Sequence, residues 1–367
     1  MRRSTTGNAA RPGGRLALAF AFAFVGLVSA AALLACRGIL GIDDDVALLP
    51  TGTDGGGSLE DGPASATDGG PSADAANDVA SGFDAAFDAG ATAVDRRFAV
   101  WPLPPVKPLL SSYVLTTDTV TDKTTGLEWE RNDATPATMA YAGGATYCAG
   151  LAIGGQTDWR LPTRIEALTF LDYGQTLGLL NQAVFPDGAL PSSPVVLWTD
   201  SLSLLAAKLD DRFQLNLELG LVTVAANTAI SNRIKCVRGG PTISPYTRYD
   251  VVSGAARDVR TGVVWQVAPL ATTTSLADAK AACQSLLLGG SGGFRLPTVR
   301  ELASLVDESR EVAPLLPPGL QGGPSPRFWS STPRAKSPAA TYVVDFETAN
   351  IVAEESASAV LSVRCAR

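Results

Sequence analysis

The sequence predicts an α+β protein: two tandem copies of one module, each with two helices and a small, mainly antiparallel sheet, carried behind a disordered acidic tether. Three observations predict this. The chain repeats five blocks in the same order at an offset of about 135 residues. Within each copy, helix-start signals are followed by strand-like alternation. The stretch before residue 96 has a composition that cannot supply a core.

Residues 1–35 read as an export signal. Arg2, Arg3, Arg11 and Arg15 form a basic leader, and an apolar run from Leu16 to Leu34 follows, interrupted by Gly26 and Ser29. It ends Leu33-Leu34-Ala35-Cys36, a small residue just before a cysteine. That ending resembles the lipobox of bacterial lipoproteins, and the resemblance implies cleavage before Cys36 and attachment to a membrane through lipid on that residue. An uncleaved signal anchor is the alternative, because the run is nearly long enough to span a bilayer. Arg37 is not the aspartate that would favour inner-membrane retention. The expected location is therefore the outer membrane, facing the surface or the periplasm.

Residues 36–95 form the tether. From Asp43 to Asp95 the chain is largely Asp, Gly, Ala, Ser and Thr, with Phe83 and Phe87 its aromatic residues. Such a segment buries too little apolar area to offset its ordering entropy. No stretch of it supplies acidic ligands at the alternating spacing of a calcium loop. The tether also holds the charge. The net charge is −7, and residues 1–95 account for it with 5 basic and 12 acidic groups, against 24 of each from residue 96 onward. A neutral folded part without a Lys/Arg cluster excludes nucleic acid as the expected partner. The chain has no histidine, which removes the commonest general base and metal ligand.

The two copies span residues 96–240 and 241–367, divided at the Gly239-Gly240-Pro241 to Pro245 stretch. Thr125-Gly126-Leu127-Glu128-Trp129 matches Thr261-Gly262-Val263-Val264-Trp265. Tyr147-Cys148 matches Ala282-Cys283, and Trp159-Arg160-Leu161-Pro162-Thr163 matches Phe294-Arg295-Leu296-Pro297-Thr298. Leu197-Trp198-Thr199-Asp200 matches Phe328-Trp329-Ser330-Ser331, and Lys235-Cys236-Val237 matches Arg364-Cys365-Ala366.

Each copy reads in the same order. A short strand carries the Thr-Gly-x-x-Trp block. A helix follows, over Thr138–Leu151 and again over Leu276–Leu288, where Ser275 and Asp278 resemble a capping box. The Arg-Leu-Pro-Thr turn then enters a second helix. Thr163 with Glu166, and Thr298 with Glu301, have the spacing at which hydroxyl and carboxylate satisfy the first amides reciprocally. Leu168, Leu171, Leu302 and Leu305 give these helices a buried stripe. Loops rich in Pro and Gly, Asp172–Pro194 and Asp307–Arg327, precede strands that alternate in Phe213–Leu219 and Tyr342–Phe346. A last strand ends each copy with a cysteine.

Four cysteines outside the signal, two per copy, read as a disulfide framework in an exported protein. Of three pairings, Cys148–Cys236 with Cys283–Cys365 respects the duplication. Zinc is the alternative, but the close Cys-x-x-Cys spacing is absent. A catalytic thiol would need a basic partner, and no histidine serves. Trp129, Trp159, Trp198, Trp265 and Trp329 sit in repeated blocks, with Phe294 replacing tryptophan once, and read as core. Arg160 and Arg295, between apolar residues, read as partly buried arginines paired with a carboxylate or with carbonyl oxygens. Trp198-Thr199-Asp200 suggests a sugar site, but Ser331 replaces the acid in the second copy, and no Glu-Pro-Asn or Gln-Pro-Asp triplet occurs. No catalytic, cofactor or metal residues are expected.

These blocks resemble the Lcl C-terminal domain family, the C-terminal domain of a collagen-like bacterial adhesin. Asp158-Trp159-Arg160-Leu161-Pro162-Thr163-Arg164-x-Glu166-x-Leu168 carries the resemblance most specifically, and the second copy is more diverged, with Gly293-Phe294 in place of Asp-Trp. The resemblance covers residues 113–367. It implies a C-type-lectin-like fold related to that of formylglycine-generating enzymes, and a surface role in binding a glycan or a protein through the variable loops, chiefly Asp172–Pro194 and Asp307–Arg327. The chain departs from the adhesin in lacking a preceding collagen-like repeat and in not being basic. The alternatives are a structural envelope protein without a soluble ligand, and an enzyme of the formylglycine-generating kind.

Overall fold

The computed structural model describes residues 96–132, 138–176, 178–186, 195–205, 210–240, 248–354 and 358–367. The export signal, Cys36 and the tether lie outside these residues, as do the junction 241–247 and part of the 172–194 loop.

The first copy runs β1 (Tyr113–Leu115), β2 (Thr119–Asp122), β3 (Leu127–Glu130), β4 (Thr138–Met139), α1 (Tyr141–Gly150), α2 (Arg164–Thr169), β5 (Val196–Leu202), β6 (Arg212–Asn216), β7 (Val222–Ala225), β8 (Asn232–Arg233) and β9 (Val237–Gly239). The second runs β10 (Tyr249–Val252), β11 (Ala255–Asp258), β12 (Val264–Gln266), α3 (Leu276–Ser285), α4 (Val299–Ala303), β13 (Arg327–Arg334), β14 (Ser337–Asp345) and β15 (Ile351–Glu354). The fold is α+β, with two sheets per copy where the sequence suggested one. A small sheet lies in each copy, ordered β1-β2-β3-β9 and β10-β11-β12. The remaining strands of both copies join in one eight-stranded sheet, β13-β14-β15-β7-β6-β5-β8-β4.

The repeated Thr-Gly block makes the hairpins of the small sheets. Gly126 and Gly262 have φ of 70° and 79°, a conformation that favours glycine, and their amides donate to the carbonyls of Asp122 and Asp258. The same two aspartates accept from the amides of Thr124 and Arg260 through their side chains. Trp129 and Trp265 leave these turns pointing into the core, and neither is exposed.

The first helix of each copy is shorter than the sequence suggested. Thr138 and Met139 pair with Arg233 and Asn232 as β4, so α1 begins at Tyr141, behind an Ala140 that provides no side-chain cap. α3 starts where expected, with the Ser275 hydroxyl accepting from the Asp278 amide, and ends at Ser285, three residues early. Each helix is pinned by its bridge, Cys148–Cys236 and Cys283–Cys365, with Cα atoms 5.5 and 5.3 Å apart. α1 lies so close to the chain behind it that a Cβ at Gly144 would stand 2.1 Å from Ile234. The second copy has Ala279 and Val363 at these positions, the larger helix residue facing the smaller partner. The closing strand of the first copy, β9, begins just after Cys236; in the second, Ala366 makes single bridges to Trp265 and Arg295 instead of a strand.

All described residues fall in one compact unit, Asp74–Arg367. Its main hydrophobic cluster takes residues from both copies, among them Trp129, Leu168, Leu215, Trp265, Leu302 and Val344. β7 meets β15 at Val222 and Ile351, and the Tyr342 hydroxyl of the second copy donates to the Leu219 carbonyl of the first, 2.7 Å away. Two arginines complete the seam. Arg164 Nε donates to Glu308 Oε1 at 2.7 Å, and both side chains are at most 2% exposed. Arg300 donates to the carbonyls of Leu168, Leu171, Pro104 and Pro105, at 2.6–3.0 Å.

Two stability measurements test this architecture. Each bridge closes a loop with a separation of 88 or 82 residues, so Cys148→Ala/Cys236→Ala should cost about 4 kcal/mol in urea unfolding; an unchanged midpoint would refute it. Glu308→Leu alone strands the Arg164 guanidinium and should cost about 3–5 kcal/mol, while Arg164→Met/Glu308→Leu should recover most of that loss. Equal losses in the single and double variants would show that the pair is not coupled.

Candidate functional site

The most specific sequence motif builds a structural knot twice. In the first copy the Thr163 hydroxyl accepts from the Glu166 amide, and Glu166 Oε2 accepts from the Thr163 amide at 2.8 Å, a complete capping box at the start of α2. Arg160 donates to both oxygens of the same carboxylate, at 2.7 and 2.6 Å. In the second copy Thr298 and Glu301 cap α4 in the same way, and Arg295 donates to Glu301 at 2.8 and 2.6 Å. A fork of two parallel bonds holds the turn before the helix in one orientation. Burial works to raise the Glu301 carboxyl, but the Arg295 fork and the Thr298 amide outweigh it and hold the group below its ordinary value. The bonds to Glu301 in turn raise the Arg295 guanidinium.

The repeated tryptophans are buried. Trp198 and Trp329 donate their indole N–H to the carbonyls of Met139 and Thr274, equivalent positions in front of the first helices. Trp129 packs edge-on against Phe170, with centroids 4.7 Å apart. None of these rings offers an open face to a ligand. The loops that the sequence favoured for recognition are also partly committed to packing: Leu179, Leu180, Val184 and Phe185 are buried, as are Leu315, Leu316 and Leu320. These side chains belong to the main hydrophobic cluster.

A different place gathers polar chemistry, with Asp200 and Thr223 exposed, Tyr141, Arg212 and Gln214 half-buried and Asn232 buried. On the side of β5–β7 turned away from the shared core, Asp200 projects with its side chain 51% exposed. The Tyr141 hydroxyl donates to Asp200 Oδ1 at 2.6 Å, and Arg212 donates to the Asp200 carbonyl at 2.6 Å while lying 4.3 Å over the Tyr141 ring. Burial, then the bond to Asp200, pushes the Tyr141 hydroxyl up to about 12. Beside them Gln214 donates to the Thr223 hydroxyl at 3.1 Å and accepts from Asn232 at 3.0 Å. Asp200 stood out in the sequence, next to Trp198. Tyr141, Arg212, Gln214, Thr223 and Asn232 did not, although the alternation of Phe213–Leu219 already placed Gln214 opposite the core side.

Among the described residues no group of three or more His, Cys, Asp or Glu could hold a metal ion, and no helix is long and apolar enough to cross a membrane. All four cysteines of the two copies are in bridges.

The model of the Lcl C-terminal domain matches the chain twice, over residues 118–238 and 254–367. No curated protein matches the chain.

The acid dependence of the knot is measurable. Because the Glu301 carboxyl lies below its ordinary value of 4.5 in the folded state, its contribution is present above that pH and is lost as pH falls through the folded value. Glu301→Gln should therefore cost about 1–3 kcal/mol at pH 7, with the gap to the unsubstituted chain narrowing towards pH 3. A gap that stays constant over that range would remove the carboxylate from the account.

Proposed function

Since the chain belongs to the Lcl C-terminal domain family and carries the domain twice, we propose that it is a non-enzymatic recognition protein of the bacterial cell envelope, binding a glycan or a protein. The observation that carries this reading is how the chemically capable residues of the family motif are used. Arg160 and Arg295 are spent on Glu166 and Glu301, and the four cysteines on two bridges. A formylglycine-type oxidation needs a reactive thiol or a metal site, and neither cysteine pair offers a thiol. Scaffold chemistry of this kind suits a module that presents a surface.

Each copy is read as C-type-lectin-like. This is supported by two helices, by the pairing of β3 with β9 near the ends of the first copy, and by a bridge from the first helix to the end of each copy. The lipid anchor at Cys36 and the outer membrane complete the proposal, with residues 36–95 giving the module reach. With 24 basic and 24 acidic groups from residue 96 onward, the module has no charge surplus to attract sulfated polymers.

The test presents the full chain, in detergent and coated on beads, to a broad glycan array and to cell surfaces at physiological salt. Saturable binding to either supports the reading. A blank array together with beads that adhere to no cell type would favour a structural envelope role and overturn it.

A further inference from the structure

The two copies can be compared position by position, because the bridges and strand registers align them. In the first copy Trp198 pairs with Gln214, and Gln214 with Thr223; in the second Trp329 pairs with Val343, and Val343 with Val352. On the face turned away from the core, Gln214, Thr223 and Asn232 thus correspond to Val343, Val352 and Leu361. Tyr141, Asp200 and Arg212 correspond to Leu276, Ser331 and Thr341.

Every one of these exchanges replaces a polar group by an apolar one or by a smaller polar one. The consequence is visible in packing. Val343 and Leu361 are buried in a cluster with Trp329 and the Cys283–Cys365 bridge, against which Leu276 and Val352 pack. In the first copy the corresponding cluster of Trp198 and the Cys148–Cys236 bridge stops short, and the sheet beyond it carries Asp200 and Thr223 in the open. A face needed only for stability could have been closed in both copies, and one copy shows how.

We propose that this outer face of β5–β7 in the first copy is the ligand site, that it takes an uncharged glycan, and that the matching face of the second copy does not bind. The inference deepens the recognition reading and rests on it. The groups are planar or short, and held by one another before any ligand arrives, which lowers the entropy lost on binding. Gln214 sits between Thr223 and Asn232 in a line of amide and hydroxyl groups. A primary amide has two N–H donors and two acceptor lone pairs, so one bond on each side leaves capacity for hydroxyls. The charges cancel locally, Arg212 lying 3.6 Å from Asp200. A sulfated polymer or a nucleic acid calls for surplus cations, whereas a neutral sugar calls for paired donors and acceptors.

The experiment uses the full chain in detergent on an array of neutral and sulfated oligosaccharides at physiological salt. Asp200→Ala and Gln214→Ala test the first copy, Ser331→Ala serves as control on the second, and thermal melting checks that each variant folds. The expected result is retention of neutral sugars, weakened about tenfold by Asp200→Ala and by Gln214→Ala and unchanged by Ser331→Ala. If Asp200→Ala fails to fold, Gln214→Ala carries the test alone. Sugar binding that ignores both first-copy variants would overturn the site, and binding of sulfated polymers alone would overturn the ligand class. A blank array beside beads that still adhere to cells would overturn the glycan inference while leaving the recognition reading intact.

Discussion

A guanidinium taken out of water must be given its acceptors by the fold, since leaving it uncompensated costs several kcal/mol. Arg164 and Arg300 both meet this constraint only across the boundary between the two copies. Arg164 finds the Glu308 carboxylate and the Ala303 carbonyl; Arg300 finds four carbonyls, Leu168 in the last turn of α2, Leu171 just beyond it, and Pro104 and Pro105. Much else follows from satisfying them. The ends of α2 and α4 must approach each other, β7 and β15 are brought edge to edge, and the segment before β1 is drawn over the second copy. There Phe98 lies 4.5 Å from the Arg248 guanidinium. The duplication therefore produces one body with a continuous sheet and a common core.

The seam is pseudo-symmetric in its strands and unsymmetric in its charges. By the alignment of the capping boxes, Arg164 stands where the second copy has Val299, Arg300 where the first has Ile165, and Glu308 where the first has Tyr173. Two first copies facing each other would bring two buried Arg164 side chains against Tyr173, with no carboxylate between them. Two second copies would bury two Glu308 carboxylates without an Arg164 for either. Unlike copies are the pairing in which Arg164 faces the Glu308 carboxylate and Arg300 faces the carbonyls of the other copy, and the like pairings carry the cost of uncompensated charge. The exchange at the first helix, Gly144 with Ile234 against Ala279 with Val363, shows the same compensation in volume.

What the sequence revealed divides along the same line between local and distant causes. The capping boxes at Thr163 and Thr298, the arginine forks onto Glu166 and Glu301, the bridges and the buried tryptophans are all readable. Each rests on residues close in sequence or repeated at matched positions. The start of α1 was not readable, because Ala140 carries no cap and the residues before it pair with β8, more than ninety positions away. The common sheet was hidden for a similar reason. Its decisive contact joins Val222 to Ile351, and nothing in either strand marks an edge waiting for the other copy. Arg164 and Arg300 looked like helix residues beside a conspicuous motif, and only their burial shows that they hold the halves together.

The positions that identify the family and the positions that distinguish the copies are thus different sets, and this bears on where recognition can reside. Arg160, Thr163 and Glu166 recur in the second copy as Arg295, Thr298 and Glu301 with the same fork and capping box, Trp129 and Trp265 are both fully buried, and groups committed in this way to their own scaffold have little left for a ligand. A domain family recognised by such residues is recognised by its fold, and fold alone does not specify a ligand. The outer face of β5–β7 is free of that obligation: the second copy replaces Gln214 by Val343 and Asn232 by Leu361 and keeps its fold. A surface that can be exchanged without loss of architecture is the surface on which selection for binding can act. In this chain it remains polar, ordered and open in one copy.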